Sequence, residues 1–179
     1  MRIGATLTFV LGWLLVTAAG ARAQESQPSE HQVKAAFIFN FAKFIDWPPA
    51  AFPDVKAPLV IGVFGDKPFF ADLERAVQGK IVNARTVLVK ECQTIEEAAQ
   101  CQILFIGASE KGRLPKIFAG LVSTNVVTIS EDDGFIKAGG AINFFREGKR
   151  IRFEINDELA KRASFRIDSK LLGLSKKPT

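Results

Sequence analysis

Leu59-Val60-Ile61-Gly62-Val63-Phe64-Gly65 is a near-continuous apolar run closed by a glycine. A strand that shows no polar alternation is buried on both faces, as strands are in the middle of a parallel sheet. Working downstream, Pro68–Gln78 suits a helix with proline in its first turn. Ala84–Lys90 is a β-rich run, Thr94–Gln100 a short helix and Gln102–Gly107 a second buried strand. Pro115–Leu121 reads as helix and Asn125–Ser130 as a further strand. Alternating strand and helix signals imply a largely parallel sheet with right-handed crossovers. The last third changes character. Ala141–Arg146 and Arg150–Ile155 are strands joined by Glu147-Gly148-Lys149, a short hairpin loop. Asn156 suits the N-cap of a helix Asp157–Ala163, and Ser169–Leu174 is a short apolar terminal element. The expected class is therefore α/β: a single mostly parallel sheet of about six strands flanked by helices, with a C-terminal antiparallel hairpin at one side.

Upstream of the first strand, Ser29 and Gln32 have capping-box spacing ahead of an apolar run. Val33, Phe37, Phe41, Phe44 and Ile45 recur at helical intervals up to Trp47, and Pro48-Pro49 stops the helix. Phe39 falls off that stripe, so the helix is apolar around much of its circumference. Such a helix is wedged between surfaces or shows one face to a partner.

Met1–Ala23 reads as an export signal. Arg2 supplies the positive start, Leu7–Val16 an apolar stretch and Ala21-Arg22-Ala23 a small-x-small cleavage site. The stretch is too short and interrupted for a span of about 20 apolar residues. Cleavage after Ala23 is expected to leave residues 24–179 as one domain, its ordered core at about 29–174, with no membrane insertion afterwards. The whole chain has 179 residues and a formal charge of +5. Without the leader the balance is 22 basic against 19 acidic side chains, thinly scattered. A nucleic-acid site needs a basic face with stacking aromatics, which this pattern lacks.

The chain holds one His, two Cys, no Tyr and sixteen Phe. A lone His31 leaves no room for zinc sites built from several His, and two Cys cannot make a four-cysteine site. No nucleophile elbow, dinucleotide glycine motif or phosphate loop is present, so no catalytic residue, metal ligand or cofactor is expected. Glu131-Asp132-Asp133-Gly134 lacks the ligand spacing of a calcium loop and reads as a solvated turn. Ligands of open parallel sheets lie beyond the carboxyl ends of the strands. There Gly65, Asp66, Ser109, Ser130 and Glu131 are the candidates to line a small-ligand pocket. Cys92 and Cys101 bracket the short helix, and an even count in an exported chain favours a disulfide. It would act as a staple or as a redox switch.

Several stretches together resemble the YfiR-like family of small periplasmic proteins. They are His31–Pro48 (HQVKAAFIFNFAKFIDWP), Val60–Gly65 (VIGVFG), Cys101–Ile106 (CQILFI), Gly139–Phe144 (GGAINF), Arg150–Asn156 (RIRFEIN) and Ser169–Leu172 (SKLL). The resemblance implies a regulatory role without catalysis. The protein would restrain an inner-membrane diguanylate cyclase, or a sensor kinase, by binding its periplasmic region, and so control cyclic di-GMP and biofilm. Output would come from that separate partner; a homodimer is compatible with the sequence. Family accounts that use more than one disulfide do not carry over, because only Cys92 and Cys101 exist. A docking repressor needs an exposed apolar patch. Around the first helix the candidates are Phe39, Asn40, Lys43, Trp47 and Pro48. A periplasmic small-ligand carrier that uses the strand-end pocket is the alternative.

Overall fold

The computed structural model describes residues 27–177. The expected leader lies outside them. Ser29 caps α1 (Glu30–Lys43): its hydroxyl accepts from the Gln32 amide, and the Gln32 side chain accepts in return from the Ser29 amide. This is the reciprocal pair that the spacing foretold. The helix stops earlier than the expected Trp47. Phe44 leaves helical geometry, and β1 (Ile45–Asp46) pairs antiparallel with β9 (Arg166–Ile167). A backbone bond from the Asp168 amide to the Phe44 carbonyl extends that pairing.

The main sheet is built from β2 (Leu59–Phe64), β3 (Ile81–Val82), β4 (Arg85–Cys92), β5 (Ile103–Ile106), β6 (Val127–Ser130), β7 (Ile142–Glu147) and β8 (Arg150–Ile155). Their order is β3-β4-β2-β5-β6-β7-β8. The central strands β4, β2, β5, β6 and β7 run parallel, and β3 and β8 are antiparallel edges. The sheet is thus mixed and seven-stranded, with antiparallel pairs at both sides where the sequence suggested six strands and one hairpin. The unforeseen β3–β4 hairpin turns through Asn83 and Ala84, at φ 48° and 64°. Two consecutive positive φ values are the geometry of a tight primed turn, which glycine usually signals. Here no glycine marks it.

Five further helices flank the sheet: α2 (Lys67–Val77), α3 (Ile95–Ala98), α4 (Leu114–Leu121), α5 (Asp157–Arg162) and α6 (Ser169–Leu174). Asp66 caps α2 and Asn156 caps α5 through their side-chain oxygens. One apolar layer lies under α1, α2 and α6 and joins Ile38, Phe41, Phe69, Leu73, Phe105 and Phe144. The other lies under α3 and α4 and joins Phe64, Leu104, Ile106, Ile117 and Phe135 with both cysteines. Much of the phenylalanine excess is therefore core: Phe41, Phe69, Phe105, Phe135 and Phe144 are among the largest fully buried side chains. Phenylalanine fills such layers without a hydroxyl that needs a partner.

Candidate functional site

The N-terminal helix has an inner and an outer side. Inward, the Phe41 ring stacks on Phe144 at 5.7 Å and meets the edge of Phe153 at 4.8 Å. Phe37 joins the same two rings at 6.0 and 5.7 Å. On the other side, Phe39 is partly buried against the edge of the core, the Lys43 ammonium sits 4.2 Å over its ring, and that ammonium donates to Asn40 Oδ1 at 3.1 Å. Phe39, Asn40 and Lys43 thus form one cluster at helical spacing, an aromatic ring under a cation. Trp47 and Pro48 are placed elsewhere. The Trp47 indole donates to the Asn125 carbonyl at 3.0 Å, just before β6, and Pro48 leads into a short 3-10 turn at Pro49–Ala51.

A residue that the sequence reading passed over holds α1 to the sheet. Lys34 is only 3% exposed, although it carries a charge. Its ammonium lies 2.7 Å from Glu30, one turn back, and also bonds Glu131. Glu30 in turn bonds Arg146 of β7. These groups line a cleft of about 360 Å³ against Phe144, Phe145 and Ile151. The i,i+4 spacing of Glu30 and Lys34 was the available signal. Nothing local announces Glu131, which lies 97 residues away. Lys34→Met keeps the aliphatic bulk but leaves Glu131 without its cation. It is expected to lower stability by about 2–3 kcal/mol, read from the urea midpoint at unchanged m-value.

At the carboxyl ends of the strands the candidate polar groups are tied to the backbone. Ser109 Oγ donates to the Gly65 carbonyl at 2.8 Å, and Gly65 stands at φ 76°. Asp66 accepts from the Phe69 amide at 3.0 Å as the cap of α2. Ser130 is fully buried, and its hydroxyl donates to the Ile106 carbonyl at 2.8 Å. Glu131 turns to Lys34. The structure brings Gly65, Asp66 and Ser109 together, but their polar atoms serve the turn and the helix cap. In the acidic turn, Asp132 lies 3.6 Å from the Lys111 ammonium.

The cysteines meet across the middle strand. Cys92 ends β4, Cys101 precedes β5, and their sulfurs lie 3.8 Å apart as thiols, both buried. They approach over Gly62 of β2, where a methyl group would stand 2.8 Å from one sulfur and 2.9 Å from the other. A glycine inside a strand marks this kind of close approach. The hydrogen bond from the Cys101 thiol holds the Cys92 pKa below the ordinary thiol value; burial opposes this and the Lys90 ammonium assists. The same bond, with burial, pushes the Cys101 thiol up. Of the two thiols, Cys92 is the one whose ionisation the surroundings favour.

Compared with known proteins, residues 31–176 match the family model described as DUF4154, YfiR/HmsC-like. No curated protein matches the chain.

Proposed function

The chain belongs to the YfiR/HmsC-like family, and from that premise we propose that it is a non-catalytic periplasmic regulator. It binds the periplasmic region of an inner-membrane signalling enzyme, a diguanylate cyclase, and restrains its output of cyclic di-GMP and hence biofilm. The observation that carries this reading is the family match from residue 31 to 176, which takes in α1, the whole main sheet and α6. The protein reaches its compartment through the leader Met1–Ala23, which is removed, and residues 24–179 act as one domain. Docking uses the outer side of α1, where Phe39 lies under Lys43 beside Asn40. A partly exposed aromatic ring is a side chain of the kind enriched in interface cores. In that compartment Cys92 and Cys101 join as a disulfide.

The small-ligand reading is the weaker one, because Ser109, Asp66 and Ser130 already have partners in their own loops. The test is retention of the protein on the immobilised periplasmic region of a membrane diguanylate cyclase from the same cell. Saturable retention is expected. Its absence under both oxidising and reducing conditions contradicts the proposal. Retention on the periplasmic region of a sensor kinase instead keeps the regulatory role and removes the cyclase.

A further inference from the structure

The positive charge of this protein is gathered at one end. Between Asp157 and Lys177 six basic side chains stand against three acidic ones, whereas residues 27–156 carry sixteen against fifteen. The fold then draws four of the six to one place. Lys161 of α5, Arg166 of β9, and Lys176 and Lys177 after α6 line a cleft of about 520 Å³ that holds a single carboxylate, Asp157. Its floor is apolar, with Ile167 and Leu172. Among the described residues Arg166 and Lys177 have no carboxylate within ion-pair distance. Lys161 and its partner Glu158 are 70% and 74% exposed, a pair that water screens. Lys176 reaches Glu147 on the hairpin.

Beside this cleft an apolar side chain points into water. Leu174, the last residue of α6, is 69% exposed, and its neighbours Gly173 and Ser175 line the cleft. Burying it against the protein's own core would have been favourable. A cation-rimmed surface with an outward leucine is the composition of segments that lie in a membrane interface: the cations meet headgroup phosphates and the leucine enters the acyl boundary.

We propose that this end of the molecule, formed by α5, β9, α6 and Ser175–Lys177, docks on an anionic phospholipid surface. Phosphate groups occupy the basic cleft, and Leu174 is the apolar insertion. The contact is peripheral: no described helix is long and apolar enough to cross a membrane. It involves no residue of the α1 docking cluster, so it stands whether or not the partner is a cyclase. An acidic protein surface would answer the charge as well but gives no role to a leucine held out beside the cleft.

The experiment is cosedimentation of the purified protein, its N-terminus read by mass, with vesicles of two compositions. One is pure phosphatidylcholine and the other contains about one-quarter phosphatidylglycerol. Binding is expected to the anionic vesicles alone and to weaken as salt rises. Arg166→Glu with Lys177→Glu should lower the partition coefficient by on the order of 100-fold. Leu174→Ser should lower it severalfold, while Val55→Ser, at an apolar residue 90% exposed elsewhere, leaves it unchanged. Circular dichroism melts of each variant confirm that the fold is kept. Equal binding to both vesicles, no binding, or insensitivity to the charge reversals overturns the proposal. Displacement by glycerol phosphate at matched phosphate concentration also overturns it, since it reduces the site to a cleft for small anions.

Discussion

Phe41→Ala is expected to lower stability by about 3–5 kcal/mol, the usual cost of a large cavity at a fully buried aromatic. Phe41 is 1% exposed and is the ring on which α1 meets the hairpin, through Phe144 and Phe153. Removing it leaves Phe37 without a neighbour at 5.9 Å and opens the layer between helix and sheet. Against a total stability of about 5–15 kcal/mol, that loss approaches unfolding at physiological temperature. Phe39→Ala, two residues away, is expected to cost less, about 2 kcal/mol, because its ring packs against the core and is only partly buried. Its effect falls instead on partner binding, which should weaken at least tenfold, as loss of an aromatic anchor does. The pair separates the two roles that an apolar helix can have. Urea titration and binding to the partner's periplasmic region, measured on both variants, decide it. Wild-type binding by a folded Phe39→Ala protein would remove the outer side of α1 as the docking surface.

Which phenylalanines face inward could not be read from the periodicity of residues 30–47. The helix carries aromatic rings at positions 37, 39, 41 and 44, so no single polar stripe orients it. The run Leu59–Gly65 was decisive because a strand buried on both faces belongs in the middle of a sheet wherever its neighbours come from. The hairpin of β7 and β8 and the caps Ser29 and Asn156 were equally legible, since their signals are local. Elements that depend on distant partners were not. β1 and β9 have two residues each and exist because Ile45 meets Ile167. β3 escaped notice because Asn83-Ala84 adopts left-handed geometry without glycine. The burial of Lys34 was illegible for a related reason: a lysine beside an apolar stripe ordinarily reaches water, its i,i+4 spacing from Glu30 marks only a surface pair, and only the folded chain brings Glu131 to it. Gly65 and Asp66 follow β2 and Ser130 ends β6, but sequence does not say whether a hydroxyl at a strand end faces a ligand or its own backbone.

Oxidation of the protein is expected to join Cys92 to Cys101 and to stabilise it by about 2.5–3 kcal/mol, the loop-closure effect for a ring of about ten residues. For a chain of this size that amounts to a melting shift of about 5–12 °C. The sulfurs start 3.8 Å apart and close to about 2 Å in the bond; an added disulfide such as oxidised glutathione takes up the two electrons and leaves as two thiols. Gly62 makes the bond possible, and this gives a sharper test than the cysteines alone. A methyl at residue 62 would press on Cys101 Sγ, Cys92 Sγ and Leu104 Cδ1 at 2.8–2.9 Å. In the reduced protein each thiol can turn about its χ1 to relieve that contact; in the disulfide neither can. Gly62→Ala should therefore cost about 1–3 kcal/mol, more in the oxidised form than in the reduced one, and so shrink the melting shift. Four melting curves, wild type and variant in each redox state, measure the difference, with alkylation and mass analysis reporting the thiols. Two alkylated thiols in unreduced protein from an oxidising compartment would dismiss the bond, and an equal cost in both states would dismiss the role of Gly62. The bond crosses β2, which β5 and β6 separate from the hairpin that packs on Phe41. A plain staple then predicts equal partner affinity in the two redox states. A change in affinity on reduction would mean that the β4–β2–β5 region transmits its redox state to α1 through α2, which packs against both α1 and β4.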